Sequence, residues 1–245
     1  MDDNLKGSDT FVFKKVWYNF NIMTRSLRVD IGGEIYHCIN RAVGRQTIFK
    51  ENKDYKLFES ILQEVVDITG MRILAYSIMP NHFHLVLYPE NNGDLSDFMK
   101  RITVTHTQRY RANTQTVGEG PLYQGRYKSF LIQNDNHLLT VLRYVERNPL
   151  TANLTQDVLS WEYGSVYRRY KGTSKEKKLL FPWVCGEPKD YIKFLTQPIT
   201  VKEMGKIELS ETKGVPFGDD EYILDKVKKY NLGSTLRGKG RPRKV

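Results

Sequence analysis

Cysteine is scarce in this sequence, which has only two cysteines among its 245 residues. Cys38 and Cys185 lie far apart, and neither belongs to a CxxC motif. A disulfide framework and a cysteine-rich zinc site both need several suitably spaced cysteines, so the sequence argues against both. We therefore expect a protein of a reducing, cytoplasmic compartment.

Long apolar runs are also missing. The longest, such as Leu85-Val86-Leu87, fall far short of the ~20 apolar residues that a membrane-spanning helix requires. The first 22 residues mix acidic and basic side chains, without the apolar centre of a secretory signal and without a clear period. Because 40% of the residues are hydrophobic, the chain can still bury a core. We expect a globular protein with no membrane segment and with a flexible leader over residues 1–22.

Acidic residues are outnumbered by basic ones. The chain has 38 Lys and Arg against 28 Asp and Glu, a formal charge of +10 and a sequence pI near 9.4. A surface of this sign favours polyanionic partners, nucleic acid above all. Charge alone does not distinguish a nucleic-acid-binding protein from one that is merely basic, so the residue patterns must decide.

The spacing of the apolar residues predicts an α+β fold. Alternation predicts strands over 34–40, 72–79, 82–88 and 126–133, and a helical period predicts helices over 54–68, 94–111 and 137–147, the last ended by Asn148-Pro149. The order β-α-β-β-α-β with a further helix is typical of the ferredoxin-like split βαβ arrangement, an antiparallel sheet covered on one face by helices. We divide the chain into a core domain over 23–170, a C-terminal extension over 171–225 and a basic tail over 226–245.

His82-Phe83-His84 is the first candidate for chemistry. Residues i and i+2 of a strand point to the same face, so two imidazoles can converge on one cation while Phe83 enters the opposite, buried face. Imidazole is a common ligand of divalent metals. Taken alone, the pattern also fits two solvated histidines on a sheet surface.

Tyr144 is the second candidate. It lies at the edge of the apolar stripe of the predicted helix 137–147, and Asn148 follows four residues later on the same side. The phenol and the amide could approach one cation, which would polarise a phosphate while the phenolate attacks it. A half-exposed packing tyrosine is the alternative. No neighbour in the sequence supplies a general base, although a metal-bound water is one candidate.

Four motifs carry a family resemblance. In chain order they are YHCINR from Tyr36, MPNHFHL from Met79, YQGRYK from Tyr123 and RYVERNPL from Arg143. Their order and spacing resemble those of the REP-associated tyrosine transposases, single-tyrosine members of the HUH nuclease superfamily and distant relatives of IS200-like transposases. The resemblance covers roughly residues 23–170.

The resemblance implies a ferredoxin-like domain that binds single-stranded or hairpin DNA, in a bacterial cytoplasm and in association with the nucleoid. It assigns a divalent cation, Mg²⁺ or Mn²⁺, to His82, His84 and Asn148. It makes Tyr144 the nucleophile, which forms a 5′-phosphotyrosine and releases a 3′-hydroxyl. Tyr110 is a competing nucleophile, but it lacks an amide partner four residues later.

Three functions remain open at this stage. The first is the tyrosine transposase, the second is a catalytically silent DNA- or RNA-binding regulator of the same fold, and the third is a metal-dependent nuclease that uses water. The resemblance favours a monomer, although related insertion-sequence enzymes act as dimers.

Polar, basic and aromatic residues in and after these motifs are candidates for DNA contact: Asn40, Arg41, Arg45, Arg126, Tyr127 and Lys128. A solvated surface is the alternative for the last three. His37, His106 and His137 have no partner at ligand spacing, so we interpret them as surface or packing residues.

The C-terminal tail has its own pattern. Residues 226–245 hold eight Lys and Arg and no acidic residue. Within them, Arg241 and Arg243 flank Pro242 in a segment that looks like the centre of an AT-hook, whose narrow Arg-Pro backbone fits the A·T minor groove. We expect this tail to bind DNA, with a merely solubilising tail as the alternative.

Overall fold

A computed structural model describes residues 28–236. Its elements follow in the order β1 Ile35–Arg41, α1 Asn52–Thr69, β2 Arg72–Met79, β3 His82–Tyr88, α2 Asp94–Asn113, β4 Lys128–Ile132, α3 Asn136–Thr151, α4 Ser165–Lys171, α5 Ser174–Lys177, α6 Tyr191–Thr196, α7 Val201–Lys213 and α8 Asp220–Lys229. Short 3-10 turns lie at Val43–Arg45 and Gly233–Leu236. No helix within residues 28–236 combines the length and the apolar character needed to cross a bilayer.

The four strands form one antiparallel sheet in the order β2-β3-β1-β4. Both this order and the chain order β-α-β-β-α-β are those of the split βαβ arrangement. The predicted α+β, ferredoxin-like fold is therefore confirmed. Its central strands are β1 and β3, which places the histidines of β3 in the middle of the sheet.

Helices cover both faces of the sheet, so the expectation that only one face is covered is wrong. Phe83 and Leu85 of β3 pack with α1 and α2 on one face. Val86 of the same strand and Phe130 of β4 pack with α3 on the other. In β3, Phe83 and Leu85 point to one side of the strand and Val86 points to the other. A single helical layer therefore cannot bury all the apolar residues of this strand.

Helix α3 begins where it was expected and ends later. The Asp135 side chain accepts a hydrogen bond from the backbone N–H of His137, as a residue that caps a helix does. The helix nevertheless continues through Pro149 to Thr151 instead of ending at Asn148-Pro149. A proline this close to the C-terminus removes one hydrogen bond from the final turns only, and the N–H of Ala152 still reaches the carbonyl of Asn148.

The C-terminal extension folds back onto the sheet. Phe217 forms a parallel bridge with Ile132 of β4, its N–H donates to the carbonyl of Leu131 at 2.7 Å, and its carbonyl accepts from Gln133 at 2.9 Å. At the opposite edge, Gly164 bridges Ser77 of β2. Segments that follow the ferredoxin-like elements in the chain therefore contact both edge strands.

The predicted basic tail starts inside folded structure. Residue 226 lies in α8, where the Lys226 ammonium contacts the Glu34 carboxylate at 2.5 Å and the hydroxyl of Tyr230 donates to the same carboxylate at 2.6 Å. The AT-hook residues Arg241 and Arg243, like the leader, lie outside the described residues. DNA binding by the tail stays a prediction.

Replacing Phe83 with alanine should destabilise the fold by about 3–5 kcal/mol, because its fully buried ring packs against Phe58 and truncation leaves a cavity. Urea unfolding followed by circular dichroism measures this loss. The matched control is Val117→Ala, which truncates a side chain that is 78% exposed and should change the free energy of unfolding by less than about 0.5 kcal/mol. Equal effects of the two substitutions would contradict this account of the core.

Candidate active site

The two histidines of β3 share one face of the sheet. The ring centroids of His82 and His84 are 5.0 Å apart, whereas Phe83 between them packs on the opposite face. His84 is 2% exposed, and the His82 ring, which is less deeply buried, contacts the side-chain oxygen of Asn81 at 2.6 Å. Strand geometry thus places both imidazoles beneath α3, where a common ligand can reach them.

His37 joins this pair from the neighbouring strand. Its Nε2 atom lies 2.9 Å from Nδ1 of His84, a hydrogen-bonding distance. The expectation that His37 has no partner is therefore wrong. The signal was in the register: β1 pairs with β3 so that His37 lies opposite Val86, and His84 is two residues away on the same face. A sequence scan for ligand spacing within one strand does not detect such a diagonal pair.

The buried imidazoles are neutral at ordinary pH. Burial lowers the pKa of His37 to about 3. Burial, followed by the charge of Arg41, lowers the pKa of His82 to about 4, and burial also holds the pKa of His84 well below its usual range. A metal ligand must be an unprotonated nitrogen, so these environments suit a cation.

Tyr144 reaches the same place from α3. Its ring centroid lies 5.7 Å from that of His84 and 6.2 Å from that of His37. Its hydroxyl donates a hydrogen bond of 3.0 Å to Oε1 of Glu211. Burial, then the negative charge of Glu211, raises the pKa of the phenol, while the Asn148 amide acts in the opposite direction. The predicted nucleophile and the predicted ligands His84 and Asn148 thus meet at one site.

Glu211 is the member of the site that the sequence did not reveal. It lies on α7 in the extension, and its Oε1 atom is 3.7 Å from Nε2 of His37 and 3.7 Å from Nδ1 of His84. Burial raises the pKa of its carboxyl group, against the hydrogen bond from Tyr144. Because α7 has no recognisable motif, one glutamate on a charged helix gave no signal.

The donor set fits a divalent cation. His37, His84 and Glu211 each present one ligand atom, and these atoms lie within 4.8 Å of one another. Neutral imidazoles with a carboxylate or an amide oxygen are donors that divalent transition metals accept. The site can therefore hold a cation next to the hydroxyl of Tyr144, whichever of these groups ligate it.

A basic cavity of about 370 Å³ adjoins the site. Arg41, Arg126 and Lys128 line it together with Glu211. Arg41 is held near the histidines because it pairs with His82 across β1 and β3. Three basic residues of the predicted DNA-contact set thus line one cavity with Glu211, the hydrogen-bond partner of Tyr144, and basic side chains of this kind contact phosphate backbones.

The remaining predicted contact residues are placed differently. Tyr127 is 7% exposed, and the guanidinium of Arg28 lies 4.1 Å from its ring centroid, so that face is not free to stack on a base. Arg45 is exposed in the turn after β1. Asn40 is buried and lines both the basic cavity and a larger one of about 590 Å³ against α2, which lacks the histidines.

The competing tyrosine lies elsewhere. Tyr110 is on α2 and packs against the core on the α1 and α2 face of the sheet, 5.9 Å from the buried ring of His106. Since the histidines of β3 belong to the opposite face, Tyr110 cannot share their ligand.

The comparisons with known proteins agree with this geometry. Residues 33–148 match the family described as transposase IS200 like. This segment, 116 of the 245 residues, is similar to the IS200-like transposases. The resemblance found in the sequence is thereby confirmed, and the matched segment extends from just before β1 to Asn148, so it contains the three histidines and Tyr144 but not Glu211.

Three individual proteins are similar to parts of this chain. A Haemophilus influenzae protein provisionally named REP-associated tyrosine transposase is 27% identical over 124 residues, which cover 46% of this chain and 69% of the relative. A solved structure of a REP-associated tyrosine transposase bound to a REP hairpin is 17% identical with a TM-score of 0.50, and the match covers 68% of this chain and 98% of that one. At this identity the second match supports the fold. A provisionally assigned Deinococcus radiodurans transposase matches over 54% of this chain and 94% of its own, at 17% identity and a TM-score of 0.37.

Acidification should destabilise the metal-free protein through the buried histidines. His37 has a pKa of about 3 in the folded protein and an ordinary value near 6.5 when unfolded, so the unfolded chain binds the proton more tightly. Its contribution is complete above about pH 6.5 and is lost as pH falls towards its folded value, at up to about 1.4 kcal/mol per pH unit for each such imidazole.

Urea unfolding between about pH 7 and pH 4.5 measures this slope. The variant His37→Phe removes one titrating group. The plot of the free energy of unfolding against pH should therefore become shallower, by the amount that corresponds to about one proton. An unchanged slope would mean that His37 is not buried as a neutral imidazole.

Proposed function

We propose that this protein cleaves single-stranded or hairpin DNA and transfers the strand through a 5′-phosphotyrosine intermediate on Tyr144. The observation that carries the proposal is the proximity of the Tyr144 ring to the His84 imidazole, with 5.7 Å between the ring centroids, beside a cavity lined by Arg41 and Lys128. A nucleophile, a place for a cation and a basic groove are the three parts that phosphoryl transfer to a side chain needs.

The cation would be Mg²⁺ or Mn²⁺, held by His82, His84 and Asn148. When bound, it supplies positive charge that polarises the phosphate and stabilises the charge that develops on it. The side chains have the complementary tasks. The two imidazoles offer neutral nitrogens, and Asn148 lies four residues after Tyr144, so its amide and the phenol occupy neighbouring positions on α3.

Tyr144 performs the covalent step. The phenol gives up its proton and its oxygen forms a bond to the phosphorus, the bond between the phosphorus and the 3′-oxygen breaks, and the leaving oxygen takes up a proton to become a free 3′-hydroxyl, so no proton is gained or lost overall. The new ester keeps the energy of the phosphodiester, so attack by a 3′-hydroxyl reverses the step without ATP. Glu211 accepts the hydrogen bond of the phenol, which aims the hydroxyl at the histidine cluster.

A hairpin substrate is supported by the relatives. The solved REP-associated transposase is bound to a REP hairpin, and the match to it spans 68% of this chain. Within this chain, Arg41, Arg126 and Lys128 would neutralise the backbone next to the scissile phosphate. The AT-hook residues Arg241 and Arg243 would add contacts to A·T-rich duplex, independently of the catalytic domain.

Purified protein incubated with a labelled palindromic single strand and Mn²⁺ should give a covalent protein–DNA band on a denaturing gel. The band should require the metal, disappear with EDTA and be absent from Tyr144→Phe, which lacks only the attacking oxygen. Tyr110→Phe is the matched control and should form the adduct at the wild-type level.

Each other result has a distinct meaning. Cleavage without an adduct would indicate a nuclease that uses water. An adduct that persists in Tyr144→Phe and disappears in Tyr110→Phe would move the nucleophile to α2. Hairpin binding with neither cleavage nor adduct, with either metal, would indicate a silent DNA-binding regulator.

The basic cavity makes a separate prediction about salt. If Arg41 and Lys128 each contact a phosphate, replacing either with alanine should weaken hairpin binding and make the slope of log affinity against log salt shallower by about 0.7–0.9. Fluorescence anisotropy over a range of KCl concentrations measures the slope. Arg101→Ala removes an exposed charge of α2 that pairs with Asp97 and should leave the slope unchanged. Equal effects of all three substitutions would indicate general charge attraction instead of contacts in this cavity.

A further inference from the structure

The carboxylate of Glu211 is largely buried beside two histidines. Its side chain is 19% exposed, and among residues 28–236 the groups within ion-pair distance of it are the buried imidazoles of His37 and His84. Arg41 and Lys128 act on the carboxylate from beyond contact distance. A buried carboxylate is costly unless it is paired or coordinates a metal, so this position calls for a cation.

Helix α7 holds Glu211 in place from both ends. Thr200 and Glu203 form a capping box at its start, and the Glu203 carboxylate also pairs with the Arg143 guanidinium of α3 at 2.6 Å. Ile207 is fully buried in the core beneath α3. After the helix, Gly214 turns the chain with a positive φ of 75° towards the segment that pairs with β4. The carboxylate therefore projects into the site from a fixed helix.

The distances around Glu211 suit shared coordination. Its Oε1 atom lies 3.7 Å from Nδ1 of His84 and 3.0 Å from the hydroxyl oxygen of Tyr144. Ligand atoms that bind one cation at about 2.0–2.2 Å lie roughly 3–4 Å from each other. A side chain at this separation can reach a cation bound to His84 with only a small movement.

We propose that Glu211 is a further ligand of the catalytic cation, so that a residue outside the IS200-like domain completes the metal site. This inference rests on the proposed function, because it assumes that the site binds a divalent cation. The extension would then be an obligatory part of the active site and not an appended module. The matched domain ends at Asn148, which is 63 residues before Glu211.

Titration of the metal-free full chain with Mn²⁺, followed by the loss of the free Mn²⁺ signal in electron paramagnetic resonance, tests the inference without using activity. Glu211→Gln keeps the shape and an oxygen that can accept the Tyr144 hydrogen bond but removes the anionic ligand. It should weaken Mn²⁺ binding about tenfold or more. Glu208→Gln is the matched control: this exposed residue lies one turn earlier on α7, and its charge also acts on Tyr144 and Glu211. It should change the affinity by less than about threefold.

Several outcomes would overturn the inference. Unchanged affinity in Glu211→Gln, with binding lost in His84→Ala and with the wild-type adduct still formed, would leave the proposed function intact and remove Glu211 from the metal site. Equal weakening by Glu211→Gln and Glu208→Gln would indicate long-range charge alone. A wild-type protein that binds no Mn²⁺ and forms no adduct would refute the proposed function itself.

Thermal melting of the metal-free variants checks their folding. If Glu211→Gln melts at a lower temperature than the wild type, a second pair of variants tests the inference: Glu211→Asp, which keeps a carboxylate, must bind Mn²⁺ more tightly than Glu211→Ala.

Discussion

The packing of α3 against the histidine-bearing face of the sheet is the contact on which the site depends. Val141, Leu142 and Val145 bury the helix against the sheet, and this burial fixes the height and rotation of Tyr144 above His84. The same packing removes water from the imidazoles and thereby keeps them neutral. One apolar interface thus positions the proposed nucleophile and buries the imidazoles proposed to bind the cation, and a helix rotated by one residue would do neither.

The fold was predictable because its signals are local. The apolar alternation of β1 to β4 and the helical period of α1 depend on neighbouring residues only, and together they identify the ferredoxin-like order. The helical layer on the second face of the sheet was harder to predict, because it depends on which distant segment of the chain packs against the sheet. Pro149 misled for a related reason: its local tendency to end a helix was outweighed by the packing of the last turn of α3.

The residues of the candidate site also differ in whether their signal in the sequence is local. His82, His84, Tyr144 and Asn148 lie within short motifs with helical or strand spacing, so the sequence alone suggested them. His37 requires knowledge of which strands pair and in which register. Glu211 requires the full tertiary fold, because 67 residues separate it from the hydroxyl that it contacts. Interactions across such separations leave no period in a single sequence.

The bridges at the two edges of the sheet also affect how the molecule meets other chains. Edge strands usually present free N–H and C=O groups, which another strand can pair with. Here Phe217 forms backbone hydrogen bonds along the edge of β4, and Gly164 forms a bridge with the edge strand β2. The late segments of the chain thus leave less of the sheet open to edge-to-edge association. Crowded neighbours in a cell would meet side chains and loops there, and the protein would resist the strand addition through which antiparallel sheets aggregate.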